Sequence, residues 1–379
     1  MKCHRYSAYS ELPERCHDLI AETSSSNLFL SDLWFRNLID FGLEQNASLE
    51  IFEVENPSLN QTLALLFLRS PAGQNGSRFG HFGNEQRSLA SMTNFQTSFY
   101  SPVVSDKTGD LNAVVSVFAA EIAEPDTGLW YVIDFNLMDQ EGPVYQALSK
   151  SLGKAGYRCY SYFYKGNWFE AITSDTFSEY LAGRTSKNRK QIQNYKRKLR
   201  KLERSFDVSA TVLTTVNDLE KIHAAYQSVY SASWKEDDYF PAFYPELINK
   251  CAANGSLRFL VISVDGKTVA FEFAVVTGLQ CVFMRTAYDP QYRRDSIGSI
   301  AIMKMIEHVI DVDGVSEIDF GTDDDSYKGV WLSNRRERYG LVCFNENTFR
   351  GRILKYLFVT GRFKEVALEK VKSLIGFRR

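Results

Sequence analysis

Hydrophobic residues along the chain recur first at helical and then at strand spacing, and the pattern repeats in outline between the two halves. Ser31 can cap a helix through Leu38 and Ile39. The runs 49–54 and 63–68 read as an antiparallel pair of strands, 70–90 as a polar loop, and 98–102 and 129–135 as further strands. A helix over 145–155 stops at Gly156, and an aromatic strand covers 160–164. Ile192, Tyr195, Leu199 and Leu202 then form one narrow apolar stripe on a helix capped by Thr185 or Ser186 and running to about Arg204. The second half predicts a helix over 219–230 and a strand over 257–264. Asp265-Gly266 reads as a hairpin turn of type I′, followed by strands 268–276 and 280–287. A helix over 299–310, a strand over 315–320, a short helix over 327–331 and a strand over 340–344 complete the order.

The length of 379 residues fits two domains of ordinary size, divided near residue 180. With 44% hydrophobic and 24% charged residues the chain reads as globular. No apolar run approaches the roughly 20 residues that span a bilayer, and no secretory leader is read at the start, so the cytoplasm is the expected compartment. The six cysteines lie far apart and the five histidines have no ligand spacing, so no metal is expected. The net charge of −2 hides a strong segregation: 184–204 carries +9, 350–379 carries +7, and the remainder −18. The basic helix therefore either packs on the acidic remainder or meets phosphates, and the first is favoured. The basic tail suits contact with an anionic membrane, at its inner face, or packing as a terminal helix.

The passage 280–310 carries the strongest chemical signal. A strand, a polar turn and a glycine at the mouth of a helix let backbone N–H groups approach a phosphate, and Arg293 and Arg294 add charge beside it. An ordinary helix start with surface arginines gives the same spacing. Glu272 interrupts the apolar run Val269–Val275 and is either a desolvated base or a carboxylate turned to solvent or to an arginine. Asp319 poses the same choice. No Ser-His-Asp or Cys-His motif stands out, so direct attack in a ternary complex is preferred to a covalent intermediate.

The stretch Tyr288-Asp289-Pro290 through Ser296-Ile297-Gly298 resembles the cofactor turn of the GNAT superfamily of acyltransferases, in its CelD-like, FemAB-related branch. Ser233-Trp234-Lys235, Ile318-Asp319-Phe320-Gly321, Tyr327-Lys328 and the basic helix stand in matching order, over about half the chain. Ile297 departs from the branch, which often has Ser-Pro-Gly there. The resemblance implies an α+β fold of two GNAT-like domains, 1–180 and 181–379. Each would hold a mixed, mostly antiparallel sheet flanked by helices, with the basic helix between them. The first domain is expected to lack a cofactor.

The resemblance further implies acyl-CoA, most simply acetyl-CoA, held by Arg293, Arg294, Ser296, Ile297, Gly298 and Ser299. Glu272, Asp319, Tyr327 and Lys328 are the candidate catalytic residues. Tyr327 would be the general acid; Lys328 would bind an acidic acceptor or stabilise the acyl oxygen, and each also reads as an ordinary packing or solvated residue. Trp234, Lys235 and Arg285 are the candidates for holding the acceptor. An amino sugar or cell-envelope polysaccharide precursor is the implied acceptor. The alternatives are a Fem-type ligase that takes an aminoacyl group from tRNA, which the single basic helix without a partner helix disfavours, and a non-catalytic scaffold in envelope assembly.

Overall fold

A computed structural model of the protein describes residues 1–24, 26–70, 85–127, 129–233 and 238–374. Thirteen strands form one sheet: β1 Lys2–Tyr6, β2 Ser48–Asn56, β3 Gln61–Ser70, β4 Ser88–Ser91, β5 Val103–Val104, β6 Val132–Met138, β7 Tyr157–Ala171, β8 Val208–Leu213, β9 Leu257–Val264, β10 Lys267–Thr277, β11 Gln280–Tyr288, β12 Glu317–Thr322 and β13 Asn334–Asn345. The helices are α1 Glu14–Ser24, α2 Asp32–Phe41, α3 Leu111–Ala123, α4 Pro143–Lys154, α5 Phe177–Gly183, α6 Ser186–Glu203, α7 Leu219–Ala232, α8 Phe243–Asn254, α9 Ile297–Asp311, α10 Lys328–Trp331 and α11 Phe349–Leu374.

Across the sheet the order is β1-β2-β3-β4-β6-β13-β7-β12-β11-β10-β9-β8, with β5 paired only to β3. Read from either edge, four strands lead through a parallel pair, β4 with β6 or β11 with β12, to the centre. There the halves exchange their last strands. β13 lies between β6 and β7, and β7 pairs with β12. The fold is the α+β pair of similar halves that the sequence implies, but their sheets are continuous.

Helices cover both faces. α1, α2, α7 and α8 share one core, in which Trp34 of α2 meets the ring of Phe243 at 5.6 Å and the Asn37 amide donates to the Phe243 carbonyl at 3.0 Å. On the other face α5, α6 and α9 pack on the second half, and α3 and α4 pack on the first. This double cover explains the nearly continuous apolar runs of β3 and β10. Asp265 and Gly266 both have positive φ, 49° and 77°, as a type I′ turn requires.

The structure departs from the sequence expectations in places. Residues 98–102 form no ladder, since Pro102 has no N–H to give and the segment is tied by single bonds such as Tyr100 N–H to the Leu137 carbonyl at 3.0 Å. Helices α3, α5 and α8 and strands β1, β4, β5 and β8 have no counterpart among the sequence expectations. The loop expected at 70–90 lies largely outside the described residues, and its end, from Ser88, is strand β4. In the basic tail Leu354 and Phe358 pack under Val342 and Phe344, and the helix runs on through Gly361. No helix among the described residues is long and apolar enough to cross a membrane.

Candidate functional site

β11 and β12 pair in parallel over three residues only, from Gln280↔Glu317 to Val282↔Asp319. Beyond that they part. A bulge at Met284 helps: β10 and β11 are in register at Phe273↔Arg285, and the next pair is Ala274↔Phe283. The gap between the strands opens a cavity of about 180 Å³. Its walls include Phe283, Met284 and Thr286 from β11, Phe320 to Thr322 at the end of β12 and Asp323 just after it, Ile302 of α9, and Tyr327 and Lys328 at α10. Phe95, Gln96 and Ser98 from the first half close another side.

Glu272 lines this cavity. It lies on β10, on the face that α9 covers, between the small residues Ala270 and Ala274, while Phe271, Phe273 and Val275 fill the opposite core. Small neighbours leave the space into which its carboxylate reaches. The residue is 0% exposed, and the Thr286 hydroxyl donates to its Oε2.

The turn before α9 is a single 3-10 stretch, Pro290–Asp295, ending at Ser296 in the left-handed region with φ 59°. A non-glycine residue there is strained, and Lys198 of α6 braces it, donating from Nζ to the Arg294 carbonyl at 2.6 Å and to Ser296 Oγ at 2.8 Å. Gly298 is required by packing: a Cβ there would sit 2.6 Å from Tyr288 Cδ1. The glycine is thus explained by a neighbouring ring before any phosphate is invoked. The stronger point is the helix end itself. No side chain caps α9, so its first N–H groups remain available, with Arg293 and Arg294 exposed beside them. In the first half the helix in the corresponding place, α3, is closed by its own carboxylate, Asp110, which accepts from Ala113 N–H at 3.1 Å. Ser299 lies half-buried in the first turn of α9, and the Ile297 side chain is buried in the core, so only its backbone can face a ligand.

Tyr327 and Lys328 line the same cavity as Glu272. Tyr327 is 41% exposed, yet its phenol is sunk enough, and near enough to Glu272 and Asp325, to hold its pKa above the ordinary value. Lys328 is buried, which lowers its pKa. Its ammonium donates to the Thr322 and Asp323 carbonyls and lies 3.7 Å from Asp325, so it pins the loop that forms the wall.

Asp319 does not line the cavity. Its carboxylate faces away and accepts from Asn167 Nδ2 at 2.7 Å, from Gly321 N–H at 2.6 Å and from Arg336 Nη2 at 2.7 Å. Asp319→Asn is therefore expected to cost about 1–3 kcal/mol of stability, the worth of a charged hydrogen bond, and to leave ligand affinity at the cavity unchanged. Denaturant melts and a binding titration on the same preparation check both halves of that expectation.

Arg285 does line the cavity, and a set of residues that no local motif announces holds it. Its Nη2 pairs with Asp238 at 2.8 Å and donates to the Tyr230 hydroxyl, and the rings of Tyr230 and Tyr244 lie 4.6 and 4.5 Å from its guanidinium. Trp234 and Lys235 lie outside the described residues. Among the described residues no group of three or more His, Cys, Asp or Glu is placed to hold a metal ion.

The basic helix α6 runs along this face. Asn188 donates to the Gly329 carbonyl at 2.9 Å near its start, and Lys198 reaches the turn before α9. The helix packs on the second half through Ile192, Tyr195, Leu199 and Leu202. Arg184, just before it, pairs with Glu170, but among the described residues none of the nine Lys and Arg from 187 to 204 forms an ion pair. Arg189, Lys190, Gln193, Asn194, Arg197 and Arg200 make one outward stripe.

Residues 189–329 match the family model described as an acetyltransferase (GNAT) domain. A search of curated proteins finds no match. Among solved structures, FemX is similar over 90% of this chain and 97% of its own, at 9% identity and a TM-score of 0.56. L-PGS from Bacillus licheniformis is similar over 93% and 97%, at 13% identity and 0.52. The C-terminal domain of a putative lysylphosphatidylglycerol synthetase from Agrobacterium fabrum is similar over 92% and 94%, at 16% identity and 0.52. At these identities the likeness is one of fold.

Proposed function

We propose that this chain, whose fold is the FemAB-related, tandem-domain form of the GNAT superfamily, moves an acyl group from acyl-CoA to an amine or hydroxyl by direct attack. The observation that carries this reading is the gap between β11 and β12, whose cavity is lined by the buried Glu272 and by Ile302 of α9, the helix whose N-terminal end is uncapped and flanked by arginines. The pyrophosphate of CoA would rest on the N–H groups of Ile297, Gly298 and Ser299, with Arg293 and Arg294 on its outer oxygens. Its thioester would then reach the cavity. Glu272 takes the proton of the attacking group. The Met284 N–H, left out of the β10 ladder by the bulge, would donate to the acyl oxygen, the Met284 carbonyl already accepting from the Tyr244 hydroxyl at 3.1 Å. Tyr327, its phenol held neutral by burial and by the nearby carboxylates, would keep its proton while the thiolate forms. It therefore serves as a hydrogen-bond donor to the leaving sulfur. A sugar-bearing cell-envelope precursor is the acceptor class that the family resemblance supports, approached from the side of Gln96 and Arg285.

Thermal unfolding with acetyl-CoA tests this. At a hundred times its dissociation constant a ligand adds about 2.7 kcal/mol to stability, a plain upward shift. Arg293→Glu with Arg294→Glu should weaken acetyl-CoA about tenfold or more at low salt, with the difference shrinking as salt rises. No shift for the wild type with acetyl-CoA or CoA would overturn the reading.

The unpaired basic stripe favours one second reading, in which the acyl donor is an aminoacyl-tRNA. The stripe from Ser186 to Arg200 is about 21 Å long and lies beside the same turn, more positive surface than one CoA needs. Salt-dependent binding of bulk aminoacyl-tRNA, lost on reversing Arg189, Arg197 and Arg200 to Glu, together with no acetyl-CoA shift, would select it.

A further inference from the structure

The wall that the first half gives to the cavity is a short, well-braced loop. Asn94 N–H donates to Thr97 Oγ1 at 3.1 Å and Gln96 N–H donates to Asn94 Oδ1 at 3.0 Å. The Phe95 ring stacks on Phe240 of the second half at 6.3 Å. Gln96 projects into the cavity with its Oε1 against the hydroxyl of the buried Tyr244, a hydroxyl that also lies 3.1 Å from the Met284 carbonyl. With the amide oxygen taken, the end that remains is the NH₂ group, and among the described residues it has no acceptor. The Tyr244 ring also covers Arg285, so one tyrosine from α8 fixes both residues of this wall.

The charge of the wall narrows what Gln96 can meet. Asp238 neutralises Arg285, and Lys328 is turned to its own loop. Glu272 and Asp323 also line the cavity. Asp323 is paired with Lys165 at 3.0 Å, so among the described residues a phosphate or carboxylate here would face Glu272 with no free cation to offset it. A neutral oxygen would not.

We propose that Gln96 is a substrate-binding residue, lent by the first half of the chain, that donates its amide N–H to an uncharged hydroxyl or amide oxygen beside the attacked group of the acceptor. This rests on the acyl-transfer reading and names the acceptor's chemistry: an oxygen-rich, locally uncharged group such as a sugar ring.

Calorimetric binding of three probes to the CoA-saturated protein tests it: D-glucosamine, cyclohexylamine, which keeps the ring and amine without the hydroxyls, and glucosamine 6-phosphate. The wild type should bind glucosamine at least about tenfold tighter than cyclohexylamine, the worth of one good hydrogen-bonded oxygen, and the 6-phosphate more weakly than glucosamine. Gln96→Leu should bring glucosamine down to the level of cyclohexylamine. Tyr244→Phe, which frees the amide but keeps the ring, should lose part of the preference and serves if Gln96→Leu folds poorly. A preference that survives both substitutions, tighter binding of the phosphate, or no binding of any probe to the wild type overturns the proposal. The acetyl-CoA shift is read separately, so failure of the donor site and failure of Gln96 appear in different measurements.

Discussion

Glu272→Gln should lower acyl-transfer turnover by about a hundredfold or more, with acetyl-CoA affinity unchanged. General-base catalysis contributes about 10²–10⁴ to a rate, and Glu272 is the buried carboxylate on the cavity wall. The amide has the same shape, and its oxygen can still accept from Thr286. The fold, the cavity and the donor site are thus retained while the base is lost. Because an amide cannot take a proton at any pH, raising the pH should recover activity only as far as the acceptor amine loses its own proton. Steady-state rates beside a binding titration separate the two effects. Turnover within a few-fold of wild type would place the base elsewhere.

Glu170→Ala should be the most destabilising of the substitutions considered, by about 3–5 kcal/mol, because it strands a buried guanidinium. Glu170 and Arg184 are each nearly enclosed, and the carboxylate also accepts from the Ser333 N–H. Arg184 continues to the Trp331 carbonyl at 2.7 Å and Ser333 Oγ at 3.0 Å, while its guanidinium lies 4.6 Å from the Tyr180 ring. The network ties β7, α5 and the end of α10, and so fixes the segment that carries Tyr327 and Lys328. Loss of the pair should lower the melting temperature by about 5–15 °C and loosen acetyl-CoA with it. Replacing both partners by methionine should restore much of the stability, since two apolar groups leave no unpaired charge. A loss below about 1 kcal/mol for the single substitution would show that Arg184 finds another partner.

The parts of the site that sequence reasoning reached are those announced within one element. Glu272 was visible because a carboxylate breaks an apolar run, and the turn at 290–298 because a strand, a polar stretch and a helix follow one another. The packing at Gly298 is not legible in the same way, since the Tyr288 ring that excludes a Cβ lies ten residues away. Asp319 looks like Glu272 in sequence, but Arg336 of β13 claims it. No periodicity reports an ion pair with a distant strand. Gln96, Tyr244 and Asp238 come from three segments that meet only after folding. The central exchange of β7 and β13 was hidden for the same reason: each strand reads as a strand, and only the assembled sheet decides its neighbours. Helix α3 was missed because its Val- and Phe-rich sequence has weak helical preference and is set by packing on the sheet.

Hydrogen exchange with and without acetyl-CoA tests the central claim most directly, because it reports where the ligand sits without needing the acceptor. The account expects slower exchange in 282–288, 296–302 and 320–328, the two parted strands and the open helix end, with the first half's strands at 48–70 unchanged. Protection centred on α3 and β6 of the first half, or no protection at a saturating concentration, would contradict it.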